Sequence, residues 1–371
     1  MSRQIRVIIS GGGTGGHIFP ALAIADALRM EDPSIDILFI GAQGRMEMQK
    51  VPLAGYPIKG LWISGFQRSL SWRNLLFPLR LVVSFLQVIG ILLRFRPDMV
   101  IGVGGYASGP TVFSSRLFGI YTAIQEQNAW PGVTNRILGK MVHRIYTAYE
   151  GMQVFFPEGK LRCLGNPVRM QLKAISVSRE EAMQHYGLDS SKKTILIFGG
   201  SLGAGIFNQV MKSGKEKIMS RAEDIQWIWQ CGKSYYDDYA HCETTKLPNV
   251  WFAPFIDDME KAYVAADLVV SRAGAMTIAE LALLGKPAIL TPSPFVAEDH
   301  QTRNAKALSN REAVELVVQK EATEKLLDTA MELVMDEVRL DNLGKNIRAM
   351  AFEDASGAIA RDLIYSYKNS L

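Results

Sequence analysis

The chain has 371 residues, 48% hydrophobic and 21% charged, which suits a large core and, at roughly 100–200 residues per domain, two domains. A net charge of +4 is far too weak to demand nucleic acid, and none is expected as a partner; it fits an anionic ligand or an anionic membrane surface. Three cysteines, an odd number without Cys-x-x-Cys spacing, argue against a disulfide framework and for a reducing compartment.

The first apolar run, Ile5–Ser10, reads as a buried strand and is too short for the h-region of a secretory signal. The loop GGGTGG follows (Gly11 to Gly16), then His17, and helical spacing begins at Pro20 (PALAIADAL). Ile35–Gly41, Met99–Gly102, Tyr121–Gln125 and Ile145–Ala148 are further strands, with helical stretches around 46–51, 72–95, 109–118 and 132–140. Such alternation predicts a parallel sheet covered on both faces. Within 75–95, Arg80 and Arg94 bracket 13 apolar-rich residues, where a membrane span needs about 20. A transmembrane helix is therefore not expected. Instead 72–80, with Leu75, Leu76, Phe77 and Arg80, is expected to dock on an anionic bilayer, and most of 81–93 to be core.

The pattern then restarts. Arg179–His185 is a short helix, Lys193–Phe198 a strand, GGSLGA (199–204) a second glycine loop, and a helix opens near Ile206. Gln226–Gln230, Val250–Pro254, Leu268–Ser271 and Ala288–Pro292 are strands, with helices at 258–265, 276–284 and 300–309 and an amphipathic helical end from about 323. The fold class is α/β, with two doubly wound halves: 1–166 and 167–371, the last helix able to pack back on the first.

Glycines after a strand let the backbone turn tightly against a ligand, and the following helix offers unpaired N–H groups to phosphate. Gly11, Gly13 and Gly16 have dinucleotide spacing, but no acid ends the second strand (IGAQGR) to hold a ribose, so NAD is disfavoured. A third glycine turn, GVGGYASGP (102–110), is either another anion site or a tight strand–helix turn. Physics alone gives two phosphate-bearing ligands, one per domain.

GGGTGGHIFPALAIADAL, GVGGYASGP, EQNAWPGVTNRIL, GNPVR, GGSLGA, FIDDM, ADLVVSRAGAMTIAELALLGKPAILTP and EDHQTRNA occur in that order. This set resembles the MurG family of glycosyltransferases over nearly the whole chain. The resemblance implies a GT-B fold, two Rossmann-like domains facing a deep cleft. It also implies inverting transfer of N-acetylglucosamine from UDP-GlcNAc to the 4-hydroxyl of undecaprenyl-pyrophosphoryl-MurNAc-pentapeptide (lipid I), giving lipid II for peptidoglycan. The implied location is peripheral, on the cytoplasmic face of the inner membrane, with other cell-wall synthesis proteins as further partner candidates.

By the same resemblance, Ala275, Met276 and Thr277 open a helix facing the donor diphosphate and Glu280 takes the ribose hydroxyls; its bland alternative is a helix-dipole carboxylate. Ile256 offers backbone to uracil, Ser201 and Arg169 approach the nucleotide, and Gln301 meets the sugar. His300 stands where some members carry glutamine. Thr14, Gly15, Gly16 and Asn128 are also implied on the donor. Gly13, Gly104, Gly105 and Tyr106 are implied on the acceptor pyrophosphate. His17, with an intrinsic pKa near 6.5, is the first candidate base, Glu126 the second; His17 can instead donate to phosphate or sugar, or be structural. No metal or cofactor is expected, since helix dipoles can neutralise the leaving diphosphate. The competing readings are a UDP-sugar epimerase of the same architecture and a non-catalytic UDP-sugar-binding regulator.

Overall fold

The computed structural model describes residues 4–65, 76–168, 172, 175–200, 202–296 and 299–370. Leu75, Arg169 and Ser201, each expected at a site, lie outside the described residues. Contacts divide the chain into two units, 1–169 with 352–371, and 170–351.

The first unit carries a seven-stranded parallel sheet in the order β3-β2-β1-β4-β5-β6-β7. Its strands are β1 (Arg6–Ser10), β2 (Asp36–Ala42), β3 (Ile58–Leu61), β4 (Met99–Gly102), β5 (Tyr121–Glu126), β6 (Arg144–Thr147) and β7 (Leu161–Cys163). Its helices are α1 (Gly15–Glu31), α2 (Glu47–Leu53), α3 (Phe77–Phe95), α4 (Ser108–Leu117) and α5 (Val133–Gly139). The second unit carries a six-stranded sheet in the order β10-β9-β8-β11-β12-β13. These strands are β8 (Lys193–Phe198), β9 (Ile225–Gln230), β10 (Val250–Ala253), β11 (Leu268–Ser271), β12 (Ala288–Leu290) and β13 (Glu315–Leu316). Around them lie α6 (Arg179–Tyr186), α7 (Gly205–Ser213), α8 (Lys215–Ser220), α9 (Tyr236–Tyr239), α10 (Met259–Ala265), α11 (Ala275–Leu284), α12 (His300–Ser309), α13 (Ala322–Met335) and α14 (Glu337–Arg348).

The central strands are mostly apolar because both faces are covered; β4 and β11 are buried at every residue. In each sheet the strand order reverses at the first strand. β1 lies between β2 and β4, and β8 between β9 and β11. Loops leaving adjacent strands in opposite directions open a crevice at their carboxyl ends, the usual ligand position in such sheets. The two glycine turns of the first unit follow β1 and β4. In the second unit, the 199–204 loop follows β8, and Arg272–Gly274 follows β11.

The last helix, α15 (Ala355–Lys368), belongs to the first unit. Ile359, Ala360 and Leu363 join Val7, Ile9, Ile24 and Leu28 in one core. Tyr146 Oη donates to Asp362 at 2.9 Å and Arg361 pairs with Glu31 at 2.9 Å.

Helix α3 departs from expectation. By length and composition it could cross a membrane, yet it packs on α4, where Phe85 meets Phe113 edge-on at 5.7 Å. It fully buries only Ser84, Val88 and Leu92, with Leu81 and Ile91 packed against that core, so most of 81–93 is not fully buried. Leu79, Val82, Leu86 and Leu93 are exposed along the other side. Leu76, Phe77 and Arg80 are half-buried; Arg80 donates to Ser64 Oγ at 2.7 Å and lies 5.4 Å from the Trp62 ring centre. Among the described residues the outward apolar stripe runs from Leu79, inside the 72–80 segment expected to dock, on to Leu93. Its i, i+3, i+7 spacing puts it on one helix face.

Candidate active site

In the first unit, α1 begins at Gly15, five residues before the expected start, so His17 sits in its first turn. Thr14 is the N-cap; its side chain makes no cap bond, and its carbonyl accepts from His17 N–H at 3.1 Å. The first turn has no acidic residue to offset the helix dipole, and the first N–H groups of any helix lack a carbonyl one turn back. Thr14 and Gly16 are exposed, Gly15 buried.

The turn after β4 packs directly on this loop. Gly105 (φ 85°) lies so close to Gly12 that a Cβ there would run into the Gly12 carbonyl oxygen. A Cβ on Gly104 (φ 95°) would stand 2.6 Å from His17 Nδ1. Both glycines are needed for their positive φ and for the close approach. Tyr106 is half exposed and packs on Gly65.

Gly13 takes a different part from the one expected. Its N–H donates to Glu47 Oε2 at 2.8 Å, and Ala42 N–H donates to Glu47 Oε1 at 2.9 Å. Buried Glu47 is thus the acid near the end of β2 that the sequence reading did not find; it clamps the glycine loop instead of meeting a ribose. An anion at Gly13 N–H would have to displace a carboxylate. That leaves the Thr14–Gly16 turn and Gly104–Gly105 as the part of this loop pair suited to phosphate.

Glu126 is not placed as a base. It is 2% exposed, and its carboxylate accepts from Asn128 N (3.0 Å), Asn128 Nδ2 (3.2 Å), Gly132 N (3.2 Å) and Asn135 Nδ2 (2.8 Å). Four donors on a buried carboxylate make it the organiser of the 126–135 turn, since each would otherwise lack an acceptor. Asn128, expected on the donor sugar, is bound to it through both nitrogens. Its neighbour Gln127, passed over in the sequence, is 2% exposed and places Oε1 3.2 Å from His17 Nδ1.

In the second unit, Gly200 (φ 82°) and Gly203 (φ 78°) shape the loop after β8. Gln230, at the end of β9, donates to Gly200 O at 2.9 Å and accepts from Ile256 N–H at 3.0 Å. A uracil taking that N–H would have to replace Gln230. Helix α11 opens at Ala275 after Gly274, with Met276 and Thr277 in an acid-free first turn. Glu280, one turn on, is buried and accepts from Tyr263 Oη at 2.9 Å. Arg272 lies 5.3 Å from the Phe207 ring centre and donates to Thr291 O at 3.0 Å. Burial pushes its guanidinium down to about 10, which leaves it cationic at neutral pH beside the α11 start. Gln301 Oε1 accepts from Ser293 N–H at 2.9 Å, and His300 is the first residue of α12. Tyr263 and Arg272 were missed because nothing in spacing alone marks a buried phenol or a half-buried arginine as a partner of the site. Among the described residues, no group of three or more His, Cys, Asp or Glu could hold a metal ion.

The glycosyltransferase family 28 N-terminal domain matches residues 7–147, and the family 28 C-terminal domain matches 194–359. A relative from Phocaeicola vulgatus, named UDP-N-acetylglucosamine--N-acetylmuramyl-(pentapeptide) pyrophosphoryl-undecaprenol N-acetylglucosamine transferase, is 50% identical over 98% of this chain and 96% of its own. The crystal structure of Acinetobacter baumannii MurG is similar with TM-score 0.74 and 27% identity, covering 97% of this chain and 99% of that one. UDP-GlcNAc 2-epimerase from Neisseria meningitidis shares the fold alone, with TM-score 0.68 and 15% identity over 98% of this chain and 100% of that one. Two wholly parallel doubly wound sheets, each with glycine turns at its switch point, together with these matches, establish that the chain belongs to glycosyltransferase family 28.

Proposed function

We propose that this glycosyltransferase moves N-acetylglucosamine from UDP-GlcNAc to the 4-hydroxyl of lipid I, with inversion, to form lipid II. The observation that carries the reading is 50% identity over 98% of the chain to a transferase of that printed name. The geometry supports a division of labour. The second unit holds the nucleotide, with the α11 N-terminus and Arg272 toward the diphosphate and Glu280 toward the ribose. The first unit holds the acceptor pyrophosphate against Thr14–Gly16, Gly104 and Gly105. His17 takes the proton of the 4-hydroxyl as that oxygen bonds to the anomeric carbon. The carbon–oxygen bond to UDP breaks, and UDP leaves with the electron pair. A fixed helix dipole and a cation stabilise that developing charge.

Incubation with UDP-GlcNAc and a lipid I analogue tests this directly. UDP and a disaccharide-lipid are expected in equal amounts. An epimerised sugar nucleotide formed without acceptor, or binding without turnover, overturns it.

We also infer that α3 docks the protein peripherally on the cytoplasmic membrane surface that presents the lipid acceptor. Leu79, Val82 and Leu86 are exposed apolar side chains, and burying such a side chain contributes about 1.5–3 kcal/mol. Changing all three to glutamate is expected to abolish sedimentation with anionic vesicles while UDP binding is unaffected. Undiminished vesicle binding by the folded triple variant rules out this face.

A further inference from the structure

We propose that Gln127 is a positioning residue that fixes the tautomer of His17, held to that task by a directed ring of buried amides. The proposal rests on the reading of His17 as the base and adds what selects the basic nitrogen.

The direction of every bond in the ring follows from backbone carbonyls, which can only accept. Gln127 Nε2 lies 2.9 Å from Val103 O and 3.4 Å from Gln125 O, so this end of the amide is the NH2 group. Its other end, Oε1, therefore faces His17. A second carbonyl fixes the remainder. Asn166 Nδ2 donates to the Gln127 carbonyl at 3.0 Å, which turns Asn166 Oδ1 toward Gln125 Nε2, 3.0 Å away. Gln125 Oε1 then accepts from Gln127 Nε2. Gln125, Gln127 and Asn166 are all buried, so reversing any one amide would oppose like groups where water cannot intervene.

Gln127 Oε1 is 3.2 Å from His17 Nδ1. An amide oxygen cannot donate, so Nδ1 must carry the hydrogen. In the neutral ring the lone pair is then on Nε2. Free imidazole side chains favour the opposite tautomer, with hydrogen on Nε2, which would turn a non-basic nitrogen outward. Gly104 adds the steric half of the constraint, because its missing Cβ leaves room for the Nδ1 edge of the ring. Gln127 touches His17 and no reacting atom; it acts through the histidine.

The test uses the full chain labelled with 15N-histidine, with the ring nitrogens of His17 assigned by their loss in His17→Ala. In the unchanged protein above the histidine pKa, Nδ1 is expected as the protonated nitrogen and Nε2 as the lone-pair nitrogen. Gln127→Met removes the acceptor at similar volume and is expected to shift the population toward the Nε2–H form. It is also expected to lower kcat about 10²-fold or more, as loss of tautomer control does in general-base catalysis, with KM for UDP-GlcNAc nearly unchanged. An Nε2–H tautomer in the unchanged protein overturns the proposal even if the methionine variant fails to fold. So does an unshifted tautomer in Gln127→Met. The base reading is judged separately, by turnover of His17→Ala: full turnover there removes the base role while the tautomer spectra still decide what Gln127 does.

Discussion

Replacing His17 with alanine is expected to cut turnover by about 10²–10⁴-fold, the usual share of a general base, while UDP affinity stays within about twofold. Glu280, Arg272 and the α11 N-terminus, proposed above for the nucleotide, belong to a different unit, so nucleotide binding is expected not to depend on the imidazole. The measurement is single-turnover transfer to a lipid I analogue beside calorimetric titration with UDP. Turnover within a few-fold of the unchanged enzyme would remove His17 as base. Glu126→Gln is the contrasting arm. It loses a carboxylate that accepts four hydrogen bonds, and each buried donor left unmet costs about 1–3 kcal/mol. Its main effect is expected in the unfolding midpoint.

The second large effect is expected at Glu280. Hydrogen bonds to a charged acceptor contribute about 1.5–3 kcal/mol each, so Glu280→Gln is expected to weaken UDP binding about 10–100-fold. Tyr263 Oη holds one carboxylate oxygen at 2.9 Å and fixes its orientation, and a glutamine of the same shape keeps that packing. Comparison of UDP with 2′-deoxy-UDP isolates the ribose contact. Removing the hydroxyl is expected to cost affinity in the unchanged protein and almost nothing in Glu280→Gln. Equal costs in both would return Glu280 to a helix-dipole role.

The central strands were legible because burial on both faces writes itself as continuous apolar runs, IRVII and TILIF among them. The unread strands, β3, β7 and β13, are all sheet edges. Half-exposed and two to four residues long, IKGL, LRC and EL carry neither an apolar run nor an alternation to detect. Helix α3 misled for the opposite reason. It is apolar on both sides, and composition cannot say which side meets the protein. In the site, the glycine turns announced themselves, whereas the use of polar side chains did not. Glu47 and Glu126 are both acids beside a glycine turn or a strand end. Only the fold reveals that each spends its oxygens on backbone or amide N–H groups. Gln127 was passed over because an amide between a glutamate and an asparagine has no signature; its importance lies in which way it points.

The return of α15 to the first unit sets an order on how the molecule can be made. Residues 170–351 form one contiguous unit, so all of it is synthesised before α15. The first sheet is synthesised earlier, but its core must wait for Ile359, Ala360 and Leu363. Until then the face that receives them, Ile24 and Leu28 included, lies open to water. The unit begun first is thus the one finished last, and it relies on the final helix arriving before anything else covers that apolar face.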